Sequence, residues 1–271
     1  MHWVKAVELL RSERRAGVLV TLVGVRGHAP REAGAKMVVA VDATWGSIGG
    51  GNLEETAVSR ARAMLGSAAS GPEELTLGLT DKTRTEHGRQ CCGGEITVLL
   101  EPLPVVPAVA IFGVGHVGLE LARIMVRHDL ELHLVDSRAD QLAGDRLACL
   151  DDGEGAVRLH HSPVPELALG SVPPGTHVLV MTHDHAEDFA ICDAALRCRH
   201  LGSIGLIGSA AKWTRFRSGL LVEGHDEQTI GRIRSPIGVP WLQGKEPATI
   251  AVSVAADLLR LFAAEHAQAP A

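Results

Sequence analysis

Tyrosine is absent from the 271 residues, and aromatic residues make up only 3%. Any mechanism must therefore do without one common acid/base side chain. The five cysteines, at positions 91, 92, 149, 192 and 198, show no framework spacing, and their odd number points to a reducing compartment. No second Cys or His pair stands at metal-ligand spacing from Cys91 and Cys92, which argues against zinc. The N-terminal stretch carries charges inside its apolar pattern, so it reads as an amphipathic helix and not as a signal peptide. The reading finds no apolar run long enough to span a bilayer, and the expectation is a soluble cytoplasmic protein without membrane partners. Excess positive charge is lacking too: 26 basic residues face 32 acidic ones, for a net charge of −6, so no general affinity for nucleic acid follows. Internal repeats are not seen.

What is present is enough for a proper core, at 46% hydrophobic residues. Pro102, Pro104 and Pro107 mark a boundary. Residues 1–103 read as a smaller α+β domain and 104–271 as a Rossmann-type domain, making the fold class α/β with a C-terminal doubly wound parallel sheet. In the first part, 18–25, 36–41, 75–79 and 96–100 are predicted strands. A helix is predicted from Asn52 to about Leu65, with Asn52 and Glu55 spaced as a capping box. In the second part, strands at 108–112, 131–136, 157–160, 177–181 and 203–207 alternate with helical stretches. The final helix is predicted from Pro247 to about His266. Its apolar face serves either the core or a subunit interface, and the chain is expected to form a homodimer.

The richest motif follows the strand 108–112. Gly113 suits a tight turn, Gly115 lets backbone approach a pyrophosphate, and Gly118 allows close helix–strand packing. The helix start offers free N–H groups to an anion. Asp136, 18 residues beyond Gly118 at the next strand end, is placed for a ribose hydroxyl. His116 either faces a phosphate or simply occupies the start of the helix.

Other turns carry polar chemistry. Cys91 and Cys92 precede Gly93 and Gly94 just before a strand, where backbone N–H groups would favour a thiolate; a buried structural thiol is the other reading. His183, Asp184 and His185 follow the strand 177–181 at a carboxyl end, where open α/β sheets bind ligands. Glu187 and Asp188 stand where a metallo-β-lactamase-type motif needs Asp and His, so a ligand-facing loop is preferred to a metal site; Asp184 and Glu187 also fit a capping box. Gly208, Ser209 and Lys212 form another strand-to-helix turn suited to an anion, or a Ser N-cap beside a solvated Lys. Cys192 and Cys198 lie six apart in a predicted helix and read as packing residues.

Together these residues resemble the xanthine dehydrogenase accessory protein family of the XdhC/CoxI type. The signatures are Ala29-Pro30-Arg31, Gly34-Ala35-Lys36-Met37, Gly46-Ser47-Ile48-Gly49-Gly50-Gly51-Asn52-Leu53-Glu54, Cys92-Gly93-Gly94, Gly113-Val114-Gly115-His116, Val135-Asp136-Ser137-Arg138, Thr182-His183-Asp184-His185 with Asp188, Gly205-Leu206-Ile207-Gly208-Ser209 with Lys212, and Ser235-Pro236-Ile237-Gly238. The resemblance implies a chaperone that binds the molybdenum cofactor (molybdopterin), supports its sulfuration and delivers it to a molybdenum hydroxylase client, with a cysteine desulfurase as a further partner. It implies cofactor-binding roles for Gly49, Gly50, Gly51, Glu54, Cys92, Gly93, Gly94, Gly113, Gly115, His116, Gly118, Asp136, Arg138, His183, Asp184, His185, Gly208, Ser209 and Lys212, with Cys92 as the molybdenum contact and no residue assigned to turnover. A maturation factor is thus favoured over an enzyme. Three alternatives stay open: an NAD(P)-dependent oxidoreductase with a dinucleotide in the Rossmann site, a metal-dependent hydrolase using His183, His185 and Asp188, and a nucleotide-sensing regulatory module.

Overall fold

The computed structural model describes residues 1–67, 71–78 and 94–268, with side chains through residue 265. Two compact units emerge, Met1–Val105 together with Ala263–Ala271, and Val106–Phe262.

The first unit is an antiparallel sheet with a helix on each face. β1 (Gly17–Arg26), β2 (Lys36–Val39), β3 (Thr44–Gly46), β4 (Glu73–Gly78) and β5 (Glu95–Leu103) stand in the order β3-β2-β1-β5-β4. The alternation of β1 explains the two faces. Val18, Val20 and Leu22 meet Leu53, Ala57, Ala61 and Met64 of α2 (Gly51–Leu65), while Leu19 turns the other way toward Ala6 and Leu10 of α1 (Trp3–Ser12). The predicted strand 36–41 ends early because Ala40 N–H donates to Ala43 O at 2.8 Å, turning the chain back into β3. β3, at three residues, is too short to show a period in sequence.

The second unit is a six-stranded sheet, all parallel: β6 (Ala108–Phe112), β7 (Glu131–Asp136), β8 (Ala156–His161), β9 (His177–Val180), β10 (Ile204–Leu206) and β11 (Ile233–Arg234), ordered β11-β10-β9-β6-β7-β8. This is a doubly wound Rossmann order, with the reversal at β6. α3 (His116–Met125), α4 (Gly144–Leu147) and α8 (Pro247–Gln268) share one core on one face. α5 (His185–Arg197), α6 (Ala210–Val222) and the 3₁₀ turn Pro165–Gly170 share the core on the other; the short α7 (Glu227–Ile230) leads into β11. Every residue of β6 is buried, as a central parallel strand requires. Phe112 pairs with Val135 on one side and Val180 on the other, and Val180 pairs with Leu206, so four strands end at one edge.

Two expectations are corrected. Pro247–Glu265 is a 19-residue helical stretch of mean hydropathy 1.5, long and apolar enough to cross a membrane by length and composition. Here Ala251, Val254, Ala255, Leu258 and Phe262 belong to the core under α8, and Asp257 pairs with Arg234 and Arg260, so the apolar run is a core helix of this unit. Cys198 is not in a helix with Cys192; it caps the C-terminus of α5 in an extended conformation.

Candidate functional site

The shared strand edge gathers four of the motifs. At the glycine turn, Gly113 has φ +98° and donates to Val135 O at 2.8 Å. A Cβ on it would fall 2.4 Å from Met181 O, and one on Gly118 would fall 2.1 Å from Gly113 O. Those two glycines are therefore demanded by protein packing. Gly115 differs: a Cβ there would meet nothing within 4 Å, so its backbone faces open space. Gly115 also N-caps α3 without a side-chain hydrogen bond, leaving helix N–H groups for an anion. His116 is the first helical residue, exposed at this rim.

A groove of about 580 Å³ opens beside the turn, lined by His116, Leu119, Glu120, Gln141, Arg146, Glu246, Pro247 and Ala248. Arg146 is anchored by Nη2 donating to Val114 O at 2.8 Å. Gln141 and Arg146 were not foreseen. The only sequence signal was their place just after the second strand of the unit, where ligand-contacting loops lie.

Asp136 ends β7 and is 3% exposed. Its Oδ2 accepts from Val114 N at 2.7 Å and Arg138 Nη2 at 3.0 Å; its Oδ1 accepts from Arg138 N at 3.0 Å and Arg138 Nε at 2.9 Å. Burial works against ionisation, but the hydrogen bonds from Arg138 and Val114 outweigh it and hold the carboxyl below its usual range. The same contact raises the Arg138 guanidinium, with Asp140 and Glu187 adding to it; Glu187 ties this corner electrostatically to the histidine loop.

In that loop, Asp184 N-caps α5, accepting from Ala186 N at 2.5 Å and Glu187 N at 3.3 Å, so the capping role holds for Asp184. His183 Nδ1 lies 3.9 Å from Glu187, and His185 Nδ1 lies 3.1 Å from Arg215 Nη2. No group of three or more metal-ligating side chains occurs among the described residues.

Lys212 departs from both of its expected roles. Its side chain is 10% exposed, and Nζ donates to Asp188 Oδ2 at 2.5 Å and Ile207 O at 2.9 Å. Asp188, fully buried, also accepts from Thr182 N at 2.9 Å. The pair thus clamps the loops after β9 and β10 together, and Lys212 is neither solvated nor turned to an anion. Ser209 is the N-cap of α6, accepting from Lys212 N at 3.2 Å. A Cβ on Gly208 would collide with the Lys212 stem at 2.6 Å, so that glycine serves the clamp. Cys192, on α5 near this pair, is pushed up to about 12 by burial and the Asp188 charge, against the opposing Lys212, and is an inert thiol.

In the first unit the triple-glycine loop is closed on itself. Gly49, Gly50 and Gly51 have φ of +140°, +77° and +62°, which turns the loop N–H groups inward. Glu54 Oε1 accepts from Ile48 N at 2.9 Å, Gly49 N at 3.1 Å and Gly50 N at 2.7 Å, and from the Ser47 hydroxyl. The Asn52–Glu55 capping box is therefore corrected: α2 starts at Gly51 with Gly50 as N-cap, and Glu54 takes the donors. A second groove of about 570 Å³ lies alongside, lined by Met37, Thr44, Gly51, Asn52, Glu54, Glu55, Val58 and Arg62. Cys91, Cys92 and Gly93 lie outside the described residues. A Cβ on Gly94 would fall 2.3 Å from His28 O, so Gly94 is required by packing.

The chain is similar to known proteins along most of its length. Residues 109–258 match the XdhC Rossmann domain, and residues 10–77 match the XdhC and CoxI family. YqeB of Escherichia coli strain K12, described as uncharacterized, is 24% identical over 255 residues, covering 90% of this chain and 43% of YqeB. The chain thus spans less than half the length of that relative. The molybdenum cofactor insertion chaperone PaoD of the same organism is 28% identical over 282 residues, covering 93% of this chain and 85% of PaoD. A crystal structure described as a xanthine dehydrogenase from Bacillus halodurans superimposes with a TM-score of 0.48 at 20% identity, covering 97% of this chain and 96% of that one. With the Rossmann match spanning more than half of its length, the chain belongs to the XdhC and CoxI family.

Proposed function

We propose that this chain binds the molybdenum cofactor as cargo and passes it to a molybdenum hydroxylase, without turning over a small substrate of its own. The observation that carries the reading is the likeness to PaoD along 93% of this chain, in a family whose Rossmann unit is intact here. The local chemistry fits an anionic cargo. Open space over Gly115, the start of α3 with no side-chain cap, and Arg138, paired with the Asp136 that holds Val114 N, offer N–H donors and positive charge at the turn, while Arg146 lines the groove together with Glu120 and Glu246. In this reading Cys92 supplies a soft thiolate contact to molybdenum, and a cysteine desulfurase provides the sulfur. A cytoplasmic homodimer completes the proposal.

Anaerobic purification followed by molybdenum and pterin analysis tests it. The cofactor should be retained. Cys92→Ala should lower retention, and a client hydroxylase matured with that variant should carry less active cofactor; Cys91→Ala with Cys92→Ala measures compensation. Absence of pterin and metal from the parent protein would overturn the reading. The Rossmann strand order favours one second reading, an NAD(P)-dependent oxidoreductase. Saturable nicotinamide binding with turnover would establish it instead.

A further inference from the structure

Asp136 stands where, in sheets of this order, an acid receives the hydroxyls of a ribose. An ionised carboxylate has about four lone-pair sites. The protein fills four of them: Val114 N, Arg138 N, Arg138 Nε and Arg138 Nη2 all donate to it, at 2.7–3.0 Å. The Arg138 fork meets the carboxylate through both oxygens, the strongest and most directional pairing available to an acid. A ribose diol brings two further donors and would have to displace that fork or the Val114 N–H. Displacing the latter would release the glycine turn itself, because Val114 is its second residue. Two of the five guanidinium N–H donors of Arg138 go to Asp136, and the side chain remains 31% exposed, beside a turn whose Gly115 faces open space.

We propose that the glycine turn, with the Asp136–Arg138 pair that braces it, selects its ligand by phosphate and is blind to ribose. Asp136 is a positioning residue that pins Val114 and aims Arg138, and Arg138 meets a phosphomonoester or pyrophosphate. This rests on the glycine turn being the ligand site of the proposed function and narrows it: a pterin phosphate needs no nucleotide half to bind here, and a nicotinamide dinucleotide finds its usual ribose handle already taken.

Calorimetric titration of the full chain with inorganic pyrophosphate, ADP and 2′,3′-dideoxy-ADP tests the inference. All three should bind, with ADP and its dideoxy analogue within about two-fold of each other, since no hydrogen bond to the diol is at stake. Arg138→Ala should weaken all three by about ten-fold or more, as expected for loss of a charge-assisted contact, with Arg138→Lys intermediate. Asp136→Asn should weaken them in parallel and leave the ADP to dideoxy-ADP ratio unchanged, which a merely structural lesion elsewhere would not predict together with the arginine effect. Dideoxy-ADP binding about ten-fold or more weaker than ADP, with the difference abolished by Asp136→Asn, would overturn the proposal, because a site built around a hydroxyl rejects the analogue lacking it. Failure of pyrophosphate to bind the parent protein would overturn it too. Pterin and molybdenum assayed in the same preparations separate the two readings: retained cofactor without pyrophosphate binding removes this inference alone, while ribose-blind phosphate binding without retained cofactor removes the cargo reading alone.

Discussion

A single carboxylate oxygen that accepts three backbone N–H groups and a hydroxyl is held in its ionised form by them. For Glu54, partial burial opposes ionisation, but the bonds from Ser47, Gly50, Gly49 and Ile48 prevail and lower its pKa. Asp136 is depressed as well, and so is Asp193 on α5, which accepts from Arg197 and meets His225, in each case with burial opposing and hydrogen bonds winning. A folded-state pKa below the unfolded one means stability that is complete above the ordinary carboxylate range and is lost as pH falls through the depressed values. The contribution of these carboxylates to the thermal midpoint should therefore be level through neutral pH and fall on acidification below that range, while His160, depressed by burial and by Arg158, adds a separate loss as pH falls below the ordinary histidine range. Glu54→Gln should cost about 1–3 kcal/mol at neutral pH, because the amide offers a weaker acceptor to clustered donors, and it should blunt the acid limb; urea unfolding across pH measures both. The triple glycine stood out in the sequence ahead of a helix, and Glu54 came to notice only through the family resemblance. The sequence could not tell whether the carboxylate turns to a ligand or to its own loop, since that depends on where three successive positive-φ residues aim their N–H groups. The same curl defeated the capping box proposed for Asn52 and Glu55.

At the level of elements, the long apolar runs of β6, β7 and β9 were legible, and with them the glycine turn and the acid at the strand end. β3 was not, nor was the destination of Lys212. Its charge suggested a ligand, yet position within a turn says nothing about which neighbouring loop the side chain reaches. The structure sends it across to Asp188 on α5. Lys212→Met should destabilise the Rossmann unit by about 3–5 kcal/mol, the usual consequence of leaving a buried charge without its partner. Adding Asp188→Leu should restore part of the loss, since removing both charges also removes the uncompensated one. Chemical denaturation of the two variants checks the pair. If the single change is silent, the clamp between the β9 and β10 loops contributes nothing.

For the molecule as a whole, α8 is the instructive case. Its composition alone admits a membrane span, a subunit interface or a core helix. Its inward face decides for the core in this unit: Leu258 is 2% exposed, while Val252 on the other side is 48% exposed. Leu258→Ala should cost about 2–5 kcal/mol through lost burial and a residual cavity, whereas Val252→Ala should stay within about 0.5 kcal/mol. Equal effects at the two positions, read by thermal unfolding, would count against this assignment. The pairing of β6 has a different kind of consequence, one in time. β6 is flanked by β7 and β9, and Gly113 is braced against Met181 and Thr182. As the chain leaves the ribosome, the glycine turn is made early but its back wall is made much later, after β7, β8 and all the chain between them and β9 have emerged. Non-local parallel pairing of this kind is slow to form, so a nascent chain completes this turn only once β9 and the Met181 and Thr182 that follow it have emerged, and a ligand meeting the chain earlier would find nothing to hold it.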